Sequence, residues 1–156
     1  MSAVEVGGHL LVATPCNNQV GHGFYQFSPE LLFRALSPEN GFQTRIVLVR
    51  DSHRYARWRR VRDPAEVGGR VRLRGPWPTT IWALARRTSD VPPFATWPQQ
   101  SDYVSRWRGG RPRAAPTTRL PAPLRRVAGL VQLVTGTTSA RGDFQPVELR
   151  SLELAG

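Results

Sequence analysis

A chain of 156 residues is the size of one domain, and a globule of that length buries roughly 70% of its unfolded surface, enough for one hydrophobic core. The net charge of +11 comes from 22 basic residues, all of them arginine, against 11 acidic ones; this predicts salt-sensitive attraction to polyanions without establishing a nucleic-acid function. The single cysteine, Cys16, excludes an internal disulfide and a zinc site built on several thiolates, and no apolar run reaches the ~20 residues of a transmembrane helix.

The absence of lysine reads as a coding bias of the source genome, because lysine is ordinarily abundant. With 14 Gly and 14 Pro, a core followed by a loose tail is expected. Met1-Ser2-Ala3-Val4-Glu5 lacks the basic-then-apolar layout of a secretory signal, so a cytoplasmic location without membrane contact is expected.

In chain order, Gly8 to Thr14 is almost wholly apolar without strict alternation, the pattern of a strand covered on both faces, and Pro15 is expected to end it. The polar stretch from Cys16 to Phe27 suits a loop that bends and hydrogen-bonds, and is the first candidate site. Ser28-Pro29-Glu30 opens a helix: the hydroxyl caps a free N–H, proline fits the first turn, and glutamate faces the positive end of the dipole. Leu31, Leu32 and Ala35 supply its apolar face. Ser37-Pro38-Glu39 repeats the opening, and Asn40-Gly41 ends it in a left-handed turn.

Thr44 to Arg50 is the clearest strand. A strongly basic stretch from 51 to 66 follows, and then Val67 to Arg74, whose alternation of arginine with apolar residues predicts an edge strand with one face exposed. Thr79 to Arg87 returns to a buried strand pattern. Beyond residue 88 the signals weaken. A short helix is expected at Ser101-Asp102-Tyr103, helical spacing recurs from Pro123 to Val131, and Phe144 to Leu154 reads as a weak strand or a tail.

Strand, polar loop, helix, strand, basic insertion and strand follow one another here. The matching pieces are Gly7-Gly8 with the strand to Pro15, Asn40-Gly41-Phe42 leading into strand 44 to 50, and Thr80 to Arg87. In that order they resemble the C-terminal half of the Rossmann-like class I S-adenosylmethionine-dependent methyltransferases, over roughly residues 5 to 108. More narrowly, Asn17-Asn18, the run Gly21-His22-Gly23-Phe24-Tyr25-Gln26-Phe27-Ser28-Pro29-Glu30-Leu31 and the segment from Pro92 to Tyr103 look like a bacterial subgroup of that family. The resemblance implies an α/β fold in which residues 1–108 form the last three strands of a partial Rossmann-like sheet with mixed parallel and antiparallel strands. Residues 109–156 would be an irregular Arg/Pro-rich extension with a short helical tail.

The resemblance also implies S-adenosylmethionine as cofactor and a methyl acceptor; Asn17, Asn18, Tyr25 and Gln26 read either as the groups that orient that polar acceptor or as groups that satisfy the loop backbone. His22, between two glycines that let a substrate come close, reads as a general base or substrate donor, or as a loop histidine bonded to backbone. The sequence departs from the family where the cofactor would sit: a glycine-rich turn after a first strand and an acidic residue ending a second are missing. A truncated or split chain, inactive alone and dependent on a partner for the nucleotide site, is therefore expected; a start codon lying further upstream is the other explanation. Strand 8–14 would then become an open edge, inviting self-association, a partner chain, or cover by the C-terminal tail. The reading from a different class is an Arg-rich binding module for nucleic acid or an acidic partner, centred on Arg57, Trp58, Arg59 and Arg60; its bland counterpart is a solvated connection. Cys16 has no neighbour in sequence that would activate it and reads as structural.

Overall fold

A computed structural model describes residues 1–107 and 144–147. Strands β1 (His9–Asn17), β2 (Phe42–Asp51), β3 (Arg59–Val61), β4 (Thr79–Arg87) and β5 (Phe144–Pro146) form one sheet in the order β1-β4-β2-β3-β5. Among the described residues every hydrogen-bonded strand pairing is antiparallel, which corrects the expected ladder of mixed parallel and antiparallel neighbours. The α/β class holds. Because β4 passes between β1 and β2 and is antiparallel to both, those two strands run in the same direction without touching.

β1 continues through Pro15 instead of stopping there. Arg87 donates its N–H to the Gly8 carbonyl at 2.8 Å, which turns the even-numbered residues of β1 toward β4 and the odd-numbered ones outward. Pro15, having no N–H to give, takes an outward position and costs the ladder nothing, and an irregularity between Pro15 and Asn17 ends the strand. The expected cover on both faces is also corrected. Among the described residues β1 is an edge strand, and its burial alternates, with His9, Leu11 and Ala13 exposed.

Helix α1 (Pro29–Ala35) starts where the capping signal predicts: the Ser28 hydroxyl accepts the Leu31 N–H at 3.3 Å, with Pro29 in the first turn. A 3₁₀ turn over Pro38–Asn40 follows and closes on Gly41 at φ 76°, where a Cβ would lie 2.6 Å from the Ser89 carbonyl oxygen. Asn40 is buried; its amide donates to the Arg34 and Thr96 carbonyls at 3.0 Å each and its oxygen accepts the Thr96 N–H at 2.8 Å. That one side chain ties the segment after β4 to the end of α1.

Leu32 and Leu36 pack with Phe42, Val47, Val49, Val61, Ile81, Ala83 and Ala85 to make the core on one face of the sheet. β4 alternates fully buried with half-buried positions along its whole length, as the middle strand should. On the other face Trp82 meets Trp58 edge-on at 5.7 Å, and the Arg50 guanidinium lies 5.8 Å from the Trp58 ring.

The edge strand expected over 67–74 is absent. Asp63 instead caps helix α2 (Pro64–Val67) by accepting the Ala65 N–H at 2.8 Å, and Gly68 terminates it at φ 70°. The unexpected strand is β3, from within the basic stretch. Helix α3 (Ser101–Trp107) forms where its start was expected, held by the Ser101 hydroxyl donating to Glu30 at 2.6 Å and by Arg70 donating to Asp102 at 2.8 Å. The helical reading of 123–131 and nearly all of 109–156 lie outside the described residues; of the stretch from 144 to 154, Phe144–Pro146 is a strand joined to β3. No helix among the described residues is long and apolar enough to cross a membrane.

Candidate functional site at the carboxyl ends of the first two strands

Two strands that share a direction bring their carboxyl ends to the same side of a sheet. Here both meet the first residue of the strand between them: Thr79 stands opposite Asn17 on one side and Asp51 on the other. Thr79 is 0% exposed and Asp51 1%. A carboxylate removed from water needs charged or hydrogen-bonding partners, and Asp51 has both. The Thr79 hydroxyl donates to one oxygen at 2.8 Å, and the Arg59 guanidinium donates to the other at 2.9 Å. Arg59 is drawn inward by this bond, and β3 forms around it.

The loop after β1 is pinned to the same place. Gln19 donates its side-chain amide to the Thr79 carbonyl at 2.6 Å. Asn18 adopts a left-handed φ of 54° and donates to the carbonyls of Gly75 at 2.6 Å and Trp77 at 3.3 Å. The Gln26 side-chain oxygen accepts the Gln19 N–H at 2.8 Å, and the Phe27 N–H reaches the Pro15 carbonyl at 2.8 Å. His22 donates its backbone N–H to the Gln19 carbonyl at 2.9 Å, and its side chain is exposed. Tyr25 is exposed too, its ring 6.2 Å from that of Phe27.

The five residues expected to hold an acceptor therefore divide. Asn18 donates its amide to the 75–77 segment and the Gln26 oxygen accepts the Gln19 N–H, so both hold the loop in place. His22 and Tyr25 are presented to solvent on that loop, and Asn17 is half-buried at its base, opposite Thr79. Gln19, Asp51 and Thr79 were not singled out from sequence. The available signal for Asp51 was an acidic residue directly after an apolar strand, with arginine eight positions further on.

S-adenosylmethionine does not fit the described residues. Asp51, the acidic residue that ends a strand, is committed to Thr79 and Arg59 and cannot serve ribose hydroxyls. Cys16 is held as a neutral thiol, burial pushing its pKa up to about 12. Among the described residues no three His, Cys, Asp or Glu side chains gather closely enough for a metal ion.

The basic cluster also divides. Arg59 is an internal strut and Trp58 packs on Trp82, which leaves Arg57 and Arg60 exposed. A cleft of about 470 Å³ lies toward the other end of β2, lined by Leu36, Glu39, Thr44, Arg45, Arg60 and Glu66 among others. Its walls mix both charge signs. Of the candidate site residues read from sequence, Arg60 alone lines it. Compared with protein-family models, with curated proteins and with solved structures, the chain matches none of them.

Proposed function

We propose that this chain forms the acceptor-side part of a class I S-adenosylmethionine-dependent methyltransferase-like sheet: it holds a polar methyl acceptor against the 17–26 loop and takes its cofactor site from other residues. The observation that carries the reading is the convergence of the β1 and β2 carboxyl ends on Thr79, with the polar loop rising from that end, since α/β sheets bind ligands outside the carboxyl ends of strands that share a direction. In this arrangement His22 is the base or donor facing the acceptor, and Tyr25 and Asn17 hydrogen-bond it. Asn18, Gln19 and Gln26 hold the loop, and the buried Asp51–Thr79–Arg59 network keeps its footing rigid.

Attraction of polyanions by Arg57 and Arg60 is the weaker reading, because the other half of that cluster is engaged inside the fold. Isothermal calorimetry of the full chain with S-adenosylmethionine tests the division of labour. No saturable binding is expected up to about 1 mM ligand, and a micromolar dissociation constant would overturn the proposal.

A further inference from the structure

We propose that β1 is a self-pairing edge: two copies of this chain join β1 to β1, antiparallel, about a two-fold axis at Leu11, and make one continuous sheet. The inference does not rest on the methyl-acceptor reading, and the pairing takes the β1 edge that a partner chain supplying the nucleotide site would otherwise use.

The open edge has a defined chemistry. With the even-numbered residues bonded to β4, the outward backbone groups are the N–H and C=O of His9, Leu11 and Ala13, and the Pro15 carbonyl is already taken by Phe27. Natural edges are usually guarded by lysine, inward charges, a central bulge or an overlying segment. Residues 9 to 14 carry no Asp, Glu, Lys or Arg, and the irregularity lies beyond Pro15. The described strand of the C-terminal region, β5, pairs with β3 at the opposite end of the sheet.

Self-complementarity selects a second copy as the occupant. In an antiparallel ladder outward residues oppose outward residues. Centring the axis on Leu11 sets Leu11 against Leu11 and His9 against Ala13 in both directions, so all three outward N–H groups and all three outward carbonyls of each copy are used. Across the strands of one copy, Ile46, Leu84 and Leu11 already form an apolar row, and that row ends in the open at Leu11, 61% exposed. The two-fold continues it without a break through Leu11, Leu84 and Ile46 of the second copy. This register brings Val6 of one copy toward the 18–27 loop of the other, where Val20 and Phe24 are exposed, as Val6 is. No arginine of a chain carrying +11 opposes another directly across the new ladder.

Sedimentation equilibrium of the full chain over roughly 1–100 μM, with amide hydrogen exchange, tests the pairing; a strand-edge interface implies a dissociation constant on the order of micromolar. The expected result is a species of twice the chain mass, in which the Leu11 and Ala13 amides become protected as concentration rises while those of Leu10 and Val12 are protected throughout. Ala13→Pro removes an outward N–H and leaves the bonds to β4 in place, and Leu11→Lys sets two cations against each other at the axis. Each should weaken the dimer at least tenfold with the circular dichroism spectrum unchanged. A monomer at 100 μM overturns the proposal, whether its outward amides exchange fast or are protected by the chain's own tail. So does a dimer or larger species that survives both substitutions.

Discussion

Replacing Asp51 by alanine is the most informative single change to the fold. The carboxylate is 1% exposed and bridges the Thr79 hydroxyl and the Arg59 guanidinium, itself only 14% exposed. Removing it takes the carboxylate away from a shielded guanidinium and leaves the buried Thr79 hydroxyl only the Trp77 carbonyl, 3.2 Å away. Breaking one partner of such a pair costs about 3 kcal/mol, which lowers the melting temperature by about 6–12 °C in a chain of this size. Thermal and urea unfolding followed by circular dichroism read both quantities. Arg59→Met alone should cost a similar amount, because a buried carboxylate then loses its guanidinium. The double variant should lose less than the sum by at least about 1.5 kcal/mol, the signature of direct coupling. Stability of Asp51→Ala within about 0.5 kcal/mol of the parent would refute the view that this network fixes the end of the sheet.

Gly41→Ala should cost at least about 2 kcal/mol in urea unfolding, since φ is 76° and the new Cβ would lie 2.6 Å from the Ser89 carbonyl oxygen. Cys16 should resist iodoacetamide at pH 8 in the folded chain. Because folding raises its pKa from 9.0 to about 12, the unfolded chain gives up this proton first; stability falls between those pH values by at most about 1.4 kcal/mol per unit, and Cys16→Ala removes that part of the slope. Arg57→Gln with Arg60→Gln should weaken heparin binding and flatten its salt dependence with the melting temperature unchanged, whereas Arg59→Met lowers the melting temperature instead.

The elements legible in the sequence were those with local causes. Ser28-Pro29-Glu30 starts α1 because capping needs only the next three residues, and the apolar runs of β2 and β4 carry their own period. What was misread depended on neighbours distant in the chain. Pro15 ends a central strand but is harmless on an edge, and no local pattern says which β1 is. The Arg/apolar alternation of 67–74 looked like a strand, yet β3 formed at Arg59–Val61, where Asp51 waits as a partner. At the site the polar loop was visible from composition alone. Its anchor was not, because Asp51 and Thr79 lie 28 positions apart and meet only once β4 enters between β1 and β2.

That threading underlies both the converging site and the open edge, and cross-strand Hα–Hα nuclear Overhauser effects test it directly, since such protons approach closely only in non-hydrogen-bonded antiparallel pairs. The expected contacts are Leu11 to Leu84 and Ala13 to Trp82 on one side of β4, and Val47 to Ala83 and Val49 to Ile81 on the other. Direct contacts between β1 and β2, with those to β4 missing on either side, would contradict the account.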